Sequence, residues 1–142
     1  MLIDGETGTG KTLVAHALHA VGPRAGKKFV VLSCAAYSED MLSTRLFGPM
    51  PEGGHIPLVE EARGGTICLE DIEELSGALQ ARLLTVINEQ GTPPETRIIA
   101  ICNDHAPDKT VEDALRPDLY YRLGAMTIVL PPLRTRGEDI LT

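Results

Sequence analysis

Residues 5–12 read Gly-Glu-Thr-Gly-Thr-Gly-Lys-Thr, a complete G-x-x-x-x-G-K-[ST] pattern. The glycines let the backbone turn so that successive N–H groups point into one concavity that suits an anion. Lys11 adds a mobile cation for the outer phosphates of a nucleotide, and the hydroxyl of Thr12 suits Mg²⁺. The sequence therefore predicts a phosphate-binding loop formed by Gly5, Glu6, Thr7, Gly8, Thr9, Gly10, Lys11 and Thr12.

The flanking sequence distinguishes this prediction from the alternative, a glycine-rich turn without a ligand. The apolar run Met1–Ile3 enters the loop, as a strand would. After Lys11, apolar residues recur at helical spacing until Gly22-Pro23 ends the pattern. A strand that runs in and an amphipathic helix that runs out are the context that a phosphate loop requires.

Two further polar positions follow apolar runs. Leu69 is followed by Glu70 and Asp71, where a buried strand meets solvent, the position at which phosphate-loop ATPases organise Mg²⁺ and the attacking water. The alternative is a solvated pair that opens an acidic turn. Asn103 follows another apolar run and could orient water at a terminal phosphate, or only cap a turn.

The elements that must position these residues alternate along the chain. Apolar runs without polar alternation favour parallel strands buried on both faces; they are Met1–Ile3, Phe29–Leu32, Thr66–Leu69, Arg97–Ile101 and Met126–Leu130. Helical patterns lie between them, after Lys11 until Gly22-Pro23, at Asp40–Phe47, Leu58–Ala62, Leu79–Glu89 and, as a short pair, Val111–Leu123. We expect an α/β fold, a three-layer α/β/α sandwich around a five-stranded parallel sheet.

Composition narrows the classes of function. The chain has 142 residues, which suits a single domain, and a formal charge of −7 without a Lys/Arg cluster, which disfavours direct binding to DNA or RNA. No apolar run approaches the ~18 residues of a membrane span, and we expect a cytoplasmic protein without membrane contact. The three cysteines lack metal spacing and are expected to be buried, reduced thiols.

Taken in order, the motifs closely resemble one family, the AAA+ domain of bacterial sigma-54-dependent transcription activators, also called enhancer-binding proteins. The resemblance covers almost the entire chain. The segments that carry it are Gly5–Thr12, His19 with Pro23-Arg24, Cys34-Ala35-Ala36, Leu46-Phe47-Gly48, Gly64-Gly65-Thr66, Leu79-Gln80-Ala81, Leu83-Leu84, Asn103, Asp118-Leu119-Tyr120-Tyr121-Arg122-Leu123 and Pro131-Pro132-Leu133-Arg134.

This resemblance implies a P-loop NTPase core that uses ATP and Mg²⁺ in a ring of identical subunits, a hexamer or heptamer. Thr12 and Glu70 would hold Mg²⁺, Asp71 would polarise the attacking water, and Asn103 is similar to the sensor of the terminal phosphate. Arg116 and Arg122 are similar to paired arginine fingers that reach the nucleotide of a neighbouring subunit. The alternative for Arg116 is an ion pair with Asp113 or Asp118 on its own surface.

The chain departs from the family in the loops that contact the sigma factor and in the residues that serve ATP hydrolysis. The motif Gly-Ala-Phe-Thr-Gly-Ala, which contacts the sigma factor, is absent after Gly48, and the stretch 90–96 is shorter than the family's second insertion. The family order Asp then Glu is reversed as Glu70 then Asp71, and an aspartate is shorter by ~1.5 Å. Ser33 replaces a longer asparagine that restrains the catalytic carboxylate. We therefore expect intact ATP binding, slow hydrolysis and weakened engagement of the RNA polymerase sigma factor.

The resemblance also implies a domain organisation for the 142 residues. We expect residues 1–142 to be a single, truncated AAA+ core without the family's C-terminal helical lid, its regulatory domain or its DNA-binding domain, so that DNA would be contacted only by another part of the protein. The alternative to a slow ATPase is a non-hydrolysing nucleotide-binding and oligomerisation module of a sigma-54-independent regulator. A third possibility, another AAA+ class such as a helicase loader, is disfavoured by Leu46-Phe47-Gly48 and Tyr120-Tyr121-Arg122.

Overall fold

The sheet has the predicted strands and all of them are parallel. The computed structural model describes residues 1–5, 10–48, 56–89, 96–102 and 115–130. The strands are β1 (Leu2–Gly5), β2 (Phe29–Ser33), β3 (Thr66–Glu70), β4 (Arg97–Cys102) and β5 (Thr127–Leu130), and their order in the sheet is β2-β3-β4-β1-β5. Ile3 lies opposite Ile101, and Cys68 lies opposite Ile99. The carboxyl ends of β3, β4 and β1 therefore lie side by side.

Helices connect these strands at the places that the sequence predicted. They are α1 (Lys11–Val21), α2 (Glu39–Phe47), α3 (Leu58–Glu61), α4 (Gly77–Glu89) and α5 (Pro117–Leu123), with a 3₁₀ turn at Ile72–Glu74. Local sequence explains two of the beginnings. The hydroxyl of Ser38 accepts a hydrogen bond from the Met41 N–H at 3.3 Å, and Pro117 occupies the first turn of α5. The beginning of the pair predicted at Val111–Leu123, residues 111–114, lies outside the described residues.

Side chains from both faces of the sheet are buried, which makes the fold three-layered. Ile98, Ala100 and Cys102 of β4 pack in the cluster that includes residues of α2, α3, α4 and α5. Ile99 and Ile101, which alternate with them, pack on the other face with residues of α1. This arrangement confirms the expected α/β class. None of the described helices is long and apolar enough to cross a membrane.

The three cysteines and His19 contribute to this core. Cys34, Cys68 and Cys102 are buried thiols that are not in disulfides, and burial raises the pKa of Cys34 and of Cys68 to about 12. The thiols therefore stay protonated near neutral pH. The buried imidazole of His19 lies 2.9 Å from the Thr66 hydroxyl and 3.0 Å from the Lys27 carbonyl oxygen, so it joins α1 to the start of β3.

Gly65, just before β3, lies where no side chain fits. Its carbonyl oxygen accepts hydrogen bonds from the Arg97 N–H at 3.0 Å and from the Arg24 guanidinium at 2.9 Å. A Cβ at this position would collide with the backbone carbonyl of Lys28, which cannot move without disturbing the β2–β3 pairing.

We expect Gly65→Ala to lower the free energy of unfolding by about 3 kcal/mol, because the added methyl overpacks a backbone contact. Urea denaturation of both proteins measures this difference. Gly26→Ala is the matched control, since a Cβ there would meet no atom within 4 Å. Equal stability of Gly65→Ala and Gly26→Ala would contradict the prediction.

Candidate functional site

The start of α1 forms the described part of the predicted phosphate loop. Gly5 ends β1, residues 6–9 lie outside the described residues, and Gly10 adopts a left-handed conformation with φ 82° and ψ 28°. Glycine adopts this conformation without steric cost, and the Gly10 carbonyl accepts the Val14 N–H at 3.0 Å as α1 begins. The positive end of this eleven-residue helix therefore lies at Gly10 and Lys11, with half-buried Thr12 in its first turn.

Lys11 is buried among acidic side chains, with only 5% of its surface exposed. Burial lowers the pKa of the Lys11 ammonium, whereas the neighbouring carboxylates of Asp4, Glu73 and Asp71 act in the opposite direction and favour its charged form. These carboxylates come from the end of β1 and from the segment after β3. The site thus places one cation within a largely negative environment.

Glu70 and Asp71 lie where the sequence predicted a strand to end. Glu70 is the half-buried last residue of β3, and Asp71 follows with φ 55° and ψ 48°. Asp71 is the single non-glycine residue with positive φ in the described part of the chain, and aspartate is one of the few residue types that tolerate it. Fully buried Ile72 then anchors the 3₁₀ turn against the core.

Ser33 contacts the carboxylate of Asp71. The Ser33 hydroxyl donates a hydrogen bond to Asp71 Oδ2 at 3.2 Å. The contact forms because Ser33 lies opposite Glu70 in the β2–β3 register. Asp71 follows Glu70 directly, so its carboxylate is within reach of the short Ser33 side chain. A serine reaches less far than an asparagine, as noted above, but it reaches far enough to meet this shorter carboxylate.

Glu73 is a component of the site that the sequence reasoning assigned only to an acidic turn. Its carboxylate interacts with the Cys102 thiol at the end of β4 and electrostatically with Lys11. Burial, together with this carboxylate, raises the pKa of Cys102. The position of Glu73 depends on the 3₁₀ turn after Asp71, and the sequence contains no clear signal for that turn.

Neither candidate arginine contacts Lys11 or Asp71 among the hydrogen bonds and ion pairs of the described residues. Arg116 forms a fork with Asp118, with Nε–Oδ1 and Nη2–Oδ2 distances of 3.3 Å each, so the surface ion pair considered as an alternative is present. Arg122 is exposed and borders a cavity of about 200 Å³ that is also lined by Met1 and Arg97, at the amino ends of β1 and β4. Lys11 and Asp71 are at the opposite, carboxyl edge of the sheet. Asn103 lies outside the described residues.

The donor atoms of the site suit a nucleotide-bound Mg²⁺ better than a site built from protein ligands alone. Among the described residues, no group of three or more His, Cys, Asp or Glu side chains is arranged to hold a metal ion. Mg²⁺ usually takes one or two protein oxygens and completes its shell with phosphates and water. The hydroxyl of Thr12 and the carboxylate of Glu70 are donors of that kind.

Comparison with known proteins connects this geometry to a family. Residues 1–129 match the family described as the Sigma-54 interaction domain. The transcriptional activator RocR of Bacillus subtilis is 39% identical over 155 residues, covering 99% of this chain and 34% of RocR. The Nif-specific regulatory protein of Klebsiella pneumoniae is 40% identical over 156 residues, covering 99% of this chain and 30% of that protein. The chain thus spans about a third of the length of these relatives.

Solved structures agree with the sequence comparison. NtrX from Brucella abortus superposes with a TM-score of 0.84 at 30% identity, covering 99% of this chain and 34% of NtrX. Its complex with ATP superposes equally well, with a TM-score of 0.84 at 31% identity. The P-loop NTPase domain of a sigma-54 activator from E. coli, at 22% identity and a TM-score of 0.66, shares the fold. The match over residues 1–129 is consistent with the buried lysine after the glycine loop and with the five-stranded parallel sheet. This chain therefore belongs to the Sigma-54 interaction domain family.

Proposed function

We propose that this chain is the AAA+ core of a sigma-54-activator-type transcription regulator, which binds ATP with Mg²⁺ and hydrolyses it slowly at the interfaces of a ring. The observation that carries the proposal is Lys11, buried at the carboxyl edge of the sheet near the carboxylates of Asp4, Asp71 and Glu73. The ATP and ADP complexes of NtrX support the choice of nucleotide.

Each residue has a role that follows from its chemistry. Lys11 and the amides of Gly5–Thr12 bind the phosphates, and Thr12 and Glu70 hold Mg²⁺, which neutralises phosphate charge when it is bound. Asp71 orients and deprotonates the attacking water, and Ser33 holds its carboxylate at 3.2 Å. Asn103 contacts the terminal phosphate. Because Asp4, Asp71 and Glu73 surround Lys11, ATP binding depends strongly on Mg²⁺ to offset the repulsion.

The arginines act on a neighbouring subunit. A guanidinium is permanently charged and planar, which suits the charge that develops on a transferring phosphoryl group. The exposed position of Arg122 supports a role in trans, because its cavity is at the amino ends of β1 and β4 whereas Lys11 follows the carboxyl end of β1. Arg116 needs only to exchange its exposed Asp118 partner for phosphate, and such surface pairs are worth about 1 kcal/mol or less. A head-to-tail contact of this kind closes into a ring, and we propose the hexamer or heptamer that the family resemblance implies.

The partners follow from the family and from the shortened loops. The sigma factor of RNA polymerase is the partner of the family, and the short segments at residues 49–56 and 90–96 weaken that engagement in this protein. DNA is bound through a part of the protein beyond these residues, and the protein acts in the cytoplasm.

A non-hydrolysing nucleotide switch of a sigma-54-independent regulator is the second candidate function. The observation that favours it is the shorter carboxylate of Asp71, already engaged by Ser33. An aspartate that stops ~1.5 Å short of the water would slow hydrolysis, since a misplacement near 1 Å costs on the order of 10²-fold in rate.

Lys11→Met tests the proposal in the full-length protein. We expect it to weaken Mg²⁺-ATP binding by about 10- to 100-fold, because charge-assisted hydrogen bonds worth about 1.5–3 kcal/mol are lost. Calorimetry measures binding, and phosphate release measures turnover, which should fall to background.

Lys28→Met is the matched control for this experiment, because Lys28 pairs with Glu61 at 3.6 Å on the surface. If Lys11→Met binds and hydrolyses ATP as Lys28→Met does, the assigned site is wrong. Lys11-dependent binding by an assembled ring that releases no phosphate would select the nucleotide switch.

A further inference from the structure

Gln80 joins two segments of the molecule through one buried amide. The residue is on the first turn of α4 and is 4% exposed. Its Nε2 donates to the Leu75 carbonyl oxygen at 2.9 Å, and its Oε1 accepts the backbone N–H of Arg116 at 2.7 Å. The second contact spans 36 positions of sequence.

The first of these segments is the turn that holds Asp71. The Asp71 carbonyl oxygen accepts the Glu74 N–H at 2.9 Å, and the Ile72 carbonyl oxygen accepts the Leu75 N–H at 3.2 Å. These bonds make the stretch from Asp71 to Leu75 one compact unit. A rotation of the Asp71 backbone therefore also moves the carbonyl group that Gln80 contacts.

The second segment is the entry to α5, which carries both arginines. Arg116 is the residue before the first turn of α5, and its own side chain makes no cap hydrogen bond to that helix. Pro117 has no N–H to contribute, so the Arg116 N–H is the donor by which Gln80 fixes the direction of the helix entry. The Arg116 carbonyl in turn accepts the Tyr120 N–H at 2.8 Å inside α5.

The two contacts require a side chain that both donates and accepts. A glutamate would keep the acceptor for Arg116 but would set a carboxylate oxygen against the Leu75 carbonyl. A methionine has similar length and volume but makes neither strong contact. Since the amide is buried, a lost partner leaves a backbone group unsatisfied, which is unfavourable.

We propose that Gln80 is a positioning residue that registers Arg116, the arginine offered to a neighbouring subunit, against the Asp71 turn of its own subunit. This inference rests on the proposed ATPase function. Through the two hydrogen bonds of Gln80, a movement of Asp71 in the nucleotide site of one subunit also moves Arg116. Arg116 acts on the nucleotide site of the neighbouring subunit. Gln80 itself touches neither the nucleotide nor the reacting atoms.

Gln80→Met in the full-length protein tests this role against the matched control Leu83→Met, which changes a buried residue of the same helix that has no polar bridge. We expect kcat for ATP to fall about 10- to 100-fold in Gln80→Met, because a displaced arginine stabilises the transition state poorly, while KM changes less than about twofold. Gln80→Glu should lose a similar factor. A loss that Leu83→Met shares equally would mean a purely structural role and would overturn the inference.

The double variant Gln80→Met/Arg116→Ala shows whether the effect passes through Arg116. We expect Gln80→Met to cost less than about twofold in the Arg116→Ala background, because the residue it positions is gone. Full additivity of the two losses would overturn the inference.

A second readout separates this inference from the proposed function. Hydrogen exchange resolved at the Arg116 amide should respond to a non-hydrolysable ATP analogue in the starting protein and should not respond in Gln80→Met. If the starting protein shows no Lys11-dependent turnover, the proposed ATPase function fails, and the exchange result still decides whether the bridge transmits nucleotide binding. An identical exchange response in both proteins would overturn the inference.

Discussion

Asp71→Asn is expected to reduce ATP turnover by about 10²–10⁴-fold while the Kd for Mg²⁺-ATP changes less than about threefold. The amide cannot accept a proton from water, so the variant removes the general base without removing volume. Asparagine tolerates the left-handed conformation of this position, with φ 55°, and its carbonyl can still accept the Ser33 hydroxyl. The substitution therefore isolates the charge of the carboxylate from its place in the fold. Single-turnover phosphate release and calorimetry measure the two quantities.

The acidic turn offers its own control for this prediction. Glu74 is exposed on the same 3₁₀ turn, and Glu74→Gln removes an equal charge without changing the site. Glu73→Gln tests the other carboxylate near Lys11. If Asp71→Asn keeps normal turnover and Glu73→Gln loses it, the general base is Glu73 and the assignment of Asp71 is wrong.

Ser33 and Asp71 both have short side chains, and these two side chains nevertheless form a hydrogen bond with each other. Each is shorter than the residue type that the family usually has at that position, yet the hydroxyl and carboxylate meet at 3.2 Å because β2 and β3 are adjacent in the sheet. The contact preserves restraint of the carboxylate. It does not extend the carboxylate toward the nucleotide, so slow hydrolysis remains the expectation for this pair.

The sequence predicts the sheet well because parallel strands buried on both faces read as continuous apolar runs. Ile98, Ile99, Ala100, Ile101 and Cys102 illustrate this, since residues of opposite parity pack on opposite faces and none needs to be polar. The beginning of α1 is predictable for a different reason. Gly10 adopts a left-handed conformation, and Lys11 follows it directly as the first residue of α1. The G-x-x-x-x-G-K-[ST] pattern therefore reflects the backbone conformation at the start of the helix as well as the chemistry of the ligand.

The remaining features of the site depend on contacts that no local pattern encodes. Glu73 reaches Lys11 and Cys102 only because Asp71 turns the chain into a 3₁₀ segment after β3. Gln80 meets Arg116 across 36 positions because α4 and α5 pack together. A pattern of apolar residues predicts such packing in general but does not specify which polar side chain will bridge it. The proposed contact between an arginine and a nucleotide would involve a second subunit, so a single sequence implies it by resemblance alone.

Arg116→Ala is expected to reduce ATP turnover by about 10³–10⁵-fold, the range in which arginine fingers act in related NTPases. Nucleotide binding to the same subunit should be nearly unchanged, because Arg116 contacts Asp118 and not Lys11 or Asp71 in its own chain. Arg116→Lys should recover little of the lost activity, because lysine keeps the charge but lacks the planar fork. Arg63→Ala, at an exposed arginine elsewhere, is the control and should retain full turnover.

Mixing two inactive variants shows whether the arginine acts in trans. Lys11→Met subunits keep Arg116 but lack a working loop, and Arg116→Ala subunits keep the loop but lack the arginine. In an equimolar random ring, about one quarter of the head-to-tail interfaces combine an intact loop with an intact arginine, so turnover should recover toward that fraction. An arginine that served its own subunit would leave every site in the mixture defective. Mixtures that stay at the level of the separate variants, although both variants assemble, would therefore show that Arg116 acts in cis or not at all.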